Sequence, residues 1–150
     1  MDKQPKLNIV NRRASFEYHL EQRYTAGMVL TGTEIKSVRA GQVNLTEGFC
    51  FIKDGELFVR NMHISVWKQG SYYNHEPMRV RKLLLKKSEL RKIKNKAIEK
   101  GFTIVPTKIF LSETGYAKME VAVAQGKRNF DKREDIKKKD IARDMSRGEE

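Results

Sequence analysis

One cysteine, one tryptophan and three prolines are spread over 150 residues, and no apolar run approaches the ~18 residues that a bilayer-spanning helix needs. The lone thiol, Cys50, can close no internal disulfide. Set between Phe49 and Phe51 it reads as a small core hydrophobe, and a reducing compartment fits. The opening Met-Asp-Lys-Gln-Pro-Lys lacks the apolar stretch of a secretory signal, so a soluble, cytoplasmic protein with no membrane partner is expected. His19, His63 and His75 are scattered without metal-ligand spacing. Gly126-Lys127 lacks the spacing and the hydroxyl residue of a phosphate loop. With no enzyme constellation, metal set or cofactor motif left standing, the expectation is a binding protein and not a catalyst.

What the chain has is charge, unevenly spread. The net charge is +12, and residues 79–100 alone contribute +8, with ten Lys/Arg against two acids. Residues 24–78 and 101–125 are each neutral. A basic segment on a neutral scaffold is the electrostatic footprint of a nucleic-acid binder. A solvated lysine-rich helix face accounts for part of the run from Lys86 to Lys100.

The apolar periodicity gives short elements. Asn11 is a good N-cap residue before a helical pattern at 12–22, with Phe16, Tyr18 and Leu20 as its core positions. Residues 24–31 are β-prone, and 33–40 form a short helix closed by Gly41. Asp54-Gly55 between 49–53 and 56–62 is a strong hairpin signal. Ser88-Glu89 opens a helix to Lys100 whose apolar face is Leu90, Ile93, Ala97 and Ile98, with Gly101 as the stop. Strands follow at 103–111 and 116–124; Met119, Val121 and Val123 alternate with Glu120, Ala122 and Ala124 as in a half-buried strand, and Pro106 marks an edge or bulge. The fold class is mainly β with peripheral helices: an OB-fold-like antiparallel barrel over 1–125, plus a basic C-terminal tail over 126–150. A generic α+β sandwich is the alternative.

The tail has a capping-box-like start, Asp131 with Glu134, and i,i+4 pairs Glu134/Lys138 and Asp135/Lys139, yet only Ile136, Ile141, Ala142 and Met145 are apolar. Such a helix is marginal alone in water, so the tail is expected to be flexible when free and to order itself on an anionic surface. Candidate RNA contacts elsewhere are Arg12, Arg13, Lys36 and Arg39 for phosphates, with Asn11 and Tyr24 as hydrogen-bonding and stacking groups. Leu83 to Leu85 read first as core, but beside Arg79, Arg81 and Lys82 an apolar side chain is also placed to touch a base. Tyr72 and Tyr73 are loop aromatics suited equally to stacking and to packing.

Three blocks, Asn11-Arg-Arg-Ala-Ser-Phe-Glu-Tyr, Gly32-Thr-Glu-Ile-Lys-Ser-Val-Arg-Ala-Gly and Gly126-Lys-Arg-Asn-Phe-Asp-Lys-Arg-Glu-Asp-Ile-Lys, with Arg81-Lys-Leu-Leu-Leu in order between the last two, resemble the SmpB family of bacterial SsrA-binding proteins. The resemblance runs from residue 11 to about 143. It implies a monomeric, non-enzymatic RNA-binding adaptor without a cofactor, built on an OB-like barrel. Such an adaptor binds the tRNA-like end of tmRNA and travels with alanyl-tmRNA and EF-Tu to the vacant A site of a ribosome stalled on a message without a usable stop codon. It implies that Asn11, Leu84 and the neighbouring basic residues, here Arg12, Arg13, Lys36, Arg39, Arg81 and Lys82, form the tmRNA surface together with Tyr24. It further implies that the tail meets small-subunit rRNA in the decoding site and mRNA channel, through Gly126, Lys127, Arg128, Phe130, Asp131, Lys132, Arg133, Ile136, Lys137, Lys138, Lys139 and Arg143. Two positions depart from the family pattern: Thr25 where glutamate often follows the aromatic, and Phe130 where His or Tyr often precedes Asp-Lys-Arg. A phenyl ring keeps stacking and loses the hydrogen bond. Phe130→Ala is therefore expected to impair ribosome rescue more than Phe130→Tyr in an in vitro rescue assay; equal effects would argue against stacking.

Overall fold

Asn11 ends a strand and starts a helix at once. Strand β1 (Asn8–Val10) stops before it, and its side-chain oxygen accepts from the Ala14 N–H at 3.3 Å, supplying one of the partners that the first turn of a helix lacks. In the computed structural model, which describes residues 7–70 and 74–126, helix α1 spans only Arg12–Glu17. The helix expected at 12–22 is thus cut short, and Tyr18 and Leu20 belong to strand β2 (Tyr18–Met28). From Tyr18 onward the backbone pairs with a partner strand, Tyr18 opposite Gly126 and Leu20 opposite Ala124, and that ladder overrides local helix propensity.

Helix α2 (Gly32–Arg39) begins with a complete capping box. Thr31 accepts from the Glu34 N–H at 3.4 Å, and the Glu34 carboxylate accepts from the Thr31 N–H at 2.8 Å. Short strands β3 (Val43–Asn44) and β6 (His63–Ile64) pair with each other. Between them β4 (Phe49–Lys53) and β5 (Glu56–Arg60) form the expected hairpin. Its turn residues Asp54 and Gly55 both take positive φ, 52° and 76°, the conformation that suits a two-residue loop and that Asp-Gly tolerates best. Strand β7 (Arg81–Leu84), helix α3 (Lys87–Ala97), β8 (Phe102–Leu111) and β9 (Ala117–Gly126) complete the described chain.

The main sheet is antiparallel, in the order β1-β8-β4-β5-β7-β2-β9, and β9 pairs again with β8. The sheet therefore closes on itself as a ring of six strands with β1 outside it. This is the mainly β architecture with peripheral helices that the sequence implied. Pro106 does coincide with a bulge: the β8–β9 register shifts between Pro106 and Lys108. The main core gathers Ala26, Leu57, Val59, Ile109, Met119 and Val121 from the ring with Val38 of α2 and Ile93 of α3, and Cys50 is among them as a buried thiol whose pKa burial pushes up.

Two details differ from the sequence reading. Strand β9 alternates as a half-buried strand only over 117–121; beyond it Ala122 and Ala124 are as inaccessible as Val121 and Val123. Alanine leaves room on the outer side, and Ala14 of α1 packs there with Val105 and Ala124, flanked by Tyr18 and Leu20. The second concerns α3. It stops at Ala97, one turn before Lys100, as the Glu99 N–H turns back to the Lys96 carbonyl, so Ile98 leaves the apolar face and is 85% exposed. Ile93→Ala should then cost about 2–5 kcal/mol of stability in denaturant unfolding, from lost burial plus the cavity left behind. Ile98→Ala should stay within about 0.5 kcal/mol.

Candidate nucleic-acid interface

A carboxylate that neither charge balance nor spacing had singled out organises this region. Glu34 is wholly buried at the start of α2. Beyond the Thr31 N–H, it accepts from Arg79 Nη2 at 2.6 Å and Nε at 3.3 Å, and from Arg81 Nε. Arg81, also fully buried, spends its remaining donors on the carbonyls of Met62 (2.9 Å), Glu76 (3.3 Å) and Pro77 (3.0 Å). Burial alone would raise the Glu34 pKa, but hydrogen bonds from Arg79, the Thr31 N–H and Arg81 outweigh it and hold the carboxyl at about 2. Burial lowers the Arg81 pKa, with Glu34 opposing it.

This corrects one expected RNA contact. With no accessible surface, the Arg81 guanidinium has no path to a phosphate; its work is to pin β7 to α2 and to the 76–77 turn. Asn11 is likewise turned inward. Besides capping α1, its amide donates to the Leu45 carbonyl at 3.1 Å and the Pro106 carbonyl at 2.9 Å. The Tyr24 ring packs against the main core while its hydroxyl donates to Gln22 at 2.9 Å, because the two-residue period of β2 sends Tyr24 to the same side as buried Ala26.

The expected residues that do reach the surface fall into two groups. Arg12 and Arg13 are exposed on α1, beside the end of β9. Arg13 pairs with Glu17 at 3.0 Å and with Glu47. Lys36 and Arg39 are exposed on α2, and Arg39 donates to the Gly115 carbonyl at 3.1 Å, before β9 begins. At the ~3.3 Å rise of a strand, the two groups stand roughly 20–25 Å apart. Leu84 is 52% exposed on β7 and faces Gly27 across the ladder. A Cβ at Gly27 would lie 3.6 Å from Leu84 and 3.8 Å from Lys118 Nζ, so the glycine leaves a bare backbone platform between an apolar and a cationic side chain.

That platform is part of a cross-strand surface that the sequence did not reveal. On the outer face one row runs Leu84, Gly27, Lys118, Phe110, and the next runs Thr25, Glu120, Lys108. Lys108 Nζ lies 5.6 Å from the Phe110 ring centroid. Glu120 accepts from Thr107 Oγ1 at 2.6 Å and Arg23 Nη1 at 3.2 Å; burial would raise its pKa, and these two partners lower it. Lys82 pairs with Glu56 at 2.9 Å. The signal for Lys108 and Lys118 was their place opposite Ile109 and Met119 in the strand alternation, readable only once register is known. Cations around an apolar side chain and bare backbone suit phosphate contact together with base or ribose packing.

Among the described residues no group of three or more His, Cys, Asp or Glu is placed to hold a metal ion, and no helix is long and apolar enough to cross a membrane. Tyr72, Tyr73 and the tail candidates Lys127, Arg128, Phe130, Asp131, Lys132, Arg133, Ile136, Lys137, Lys138, Lys139 and Arg143 lie outside the described residues.

Comparison with known proteins is decisive at the level of family. A family model described as SmpB protein matches residues 8–150. The chain belongs to the SmpB family. It is similar to an SsrA-binding protein of Bacteroides thetaiotaomicron, 55% identical over 145 residues that cover 97% of each chain, and to one of Phocaeicola vulgatus, 53% identical over 94% of each. A solved structure described as "tmRNA-SmpB: a journey to the center of the bacterial ribosome" superposes with a TM-score of 0.70 at 45% identity, over 87% of this chain and 94% of that one.

Acid should act on this SmpB-family fold through Glu34. Its folded pKa is depressed from 4.5 to about 2, so its contribution is complete above pH 4.5 and is lost as pH falls towards 2. Glu34→Gln should cost about 3–5 kcal/mol near neutral pH by leaving Arg81 buried without its counter-charge, and should flatten unfolding midpoints across that acid window. Midpoints that fall with acid as steeply in the variant as in the parent chain would contradict this.

Proposed function

We propose that this chain is the RNA-binding adaptor of trans-translation: it binds the tRNA-like domain of tmRNA and delivers it to stalled ribosomes. The observation that carries the reading is membership of the SmpB family over nearly the whole chain, supported by likeness to a structure whose description joins tmRNA, SmpB and the bacterial ribosome. The fold agrees physically. A closed antiparallel ring presents cations and exposed apolar groups to a folded RNA from a rigid surface, and no cofactor is needed for a role that consists of binding. The protein acts in the cytoplasm as a monomer and not as an enzyme, in company with EF-Tu and alanyl-tmRNA.

Within that reading the described fold holds tmRNA, through Arg12, Arg13, Lys36, Arg39, Lys82 and Leu84, with Asn11 and Arg81 holding the surface in shape from beneath and Tyr24 packed on the main core. Arg23, Lys108 and Lys118 extend the same face. The segment after Gly126 engages the decoding site and mRNA channel, where small-subunit rRNA supplies the counter-charge its cations need. Truncation after Gly126 is expected to leave tmRNA affinity within about threefold, which is under ~1 kcal/mol, while abolishing rescue of stalled ribosomes in a reconstituted assay. Loss of tmRNA affinity on truncation would overturn this division of labour.

A further inference from the structure

Several half-buried aromatic rings of the sheet have a face covered by a neighbour. The Arg60 guanidinium lies 5.2 Å from the Phe49 ring centroid and 5.9 Å from that of Phe51, and Phe51 stacks on Phe58 at 5.6 Å. Lysine ammonium groups stand 5.6 Å from Phe110 and 5.0 Å from Phe102. Tyr116 is different. It is 70% exposed, and among the described residues its ring meets no cation or second ring and its hydroxyl makes no hydrogen bond. Exposure alone would mean little, since single apolar side chains are common on protein surfaces. The setting of this one gives it meaning.

The turn that carries Tyr116 is fixed. The Ser112 N–H donates to the Tyr116 carbonyl at 2.8 Å, and the Tyr116 N–H donates to Ser112 Oγ at 3.1 Å. Between them the Gly115 N–H closes on the Ser112 carbonyl at 2.9 Å, with Gly115 at φ 88°, where a side chain would be strained. Arg39 of α2 donates to the Gly115 carbonyl at 3.1 Å. The backbone at Tyr116 is thus held by its own turn and, through Gly115, by α2. Ordering the ring on a partner then costs little more than its two side-chain torsions.

Its neighbours narrow the partner. Tyr116, Lys118 and Glu120 alternate with buried Ala117, Met119 and Val121, so Tyr116 stands on the outer face one step beyond Lys118, about 7 Å away at the rise of a strand. Lys118 faces Gly27, and Gly27 faces the exposed Leu84. Arg39, bonded to the turn itself, and Lys36, one helical turn before it, are exposed on α2. The ring therefore offers an open π-face with cations beside it on β9 and on α2, against Glu113 as the carboxylate of the turn. That combination suits an unstacked nucleobase whose phosphates meet the cations; a continuous double helix would present no free base face to stack.

We propose that Tyr116 stacks on an unpaired nucleobase of the tRNA-like RNA while Arg39 and Lys118 take the phosphates beside it. This rests on the adaptor reading above and adds a base-stacking residue to the face that reading assigns to tmRNA. Full chains carrying Tyr116→Ala, Tyr116→Phe, Tyr116→Trp or Lys118→Gln, each checked by circular dichroism, are titrated with a tmRNA transcript over a range of salt. Tyr116→Ala should bind about five- to hundredfold more weakly, with an unchanged salt slope because the ring neutralises no phosphate. Tyr116→Phe and Tyr116→Trp keep a π-face and should stay within about threefold of the parent chain. Lys118→Gln should instead make the slope shallower by about 0.7–0.9. Binding by Tyr116→Ala within about twofold of the parent, a shallower slope in that variant, or an equal loss in all three Tyr116 variants would overturn the proposal while leaving the adaptor reading in place. A parent chain that does not bind the transcript would overturn both.

Discussion

One buried carboxylate holds the parts of this fold in their relation to one another. Glu34 closes the first turn of α2, takes both Arg79 and Arg81, and through Arg81 reaches the carbonyls of Met62, Glu76 and Pro77. Burying a charge in a protein interior costs several kcal/mol unless its lone pairs are met, and here they are met from four donors. The return is geometric. Helix α2, the start of β7 and the 76–79 turn are fixed to one point, and β7 sets Lys82 and Leu84 on the outer face opposite Gly27 and the bulged β2–β9 ladder. Among the described residues no buried side-chain nitrogen or oxygen lacks a hydrogen-bond partner, so the network rigidifies and leaves no polar group stranded.

That arrangement separates two uses of positive charge. Arginines and lysines paired with carboxylates position backbone and side chains, and they present RNA with a surface whose charge is already partly spent. Among the described residues, the cations along α3 other than Lys96 meet no carboxylate. A nucleic-acid partner gains most from the second kind, since association releases counterions there, while the first kind fixes register and shape. The net charge of +12 therefore describes two physically different populations.

How much of this was legible in the sequence follows from the range of each interaction. Local signals held: the Asp54-Gly55 turn, the short helix read at 33–40 and the Pro106 bulge each depend on neighbours a few residues away. Tyr18 and Leu20 were misplaced on a helix because their conformation is decided by pairing with residues more than a hundred positions later. Asn11 and Arg81 were readable as important but not as buried, because their partners Leu45, Pro106, Glu34 and Met62 lie far off in the chain. Glu34 itself is one acid among many until β7 is folded against α2. Arg23, Lys108 and Lys118 needed strand register before they formed a face.

The account stands or falls on the identity of the RNA that the folded part selects. Sequencing the RNA that co-purifies with the full chain from its own cells tests this directly. The account predicts a single abundant RNA with a tRNA-like end, enriched far above its cellular share. A broad sampling of cellular RNAs, or ribosomal RNA alone recovered regardless of stalling, would contradict it.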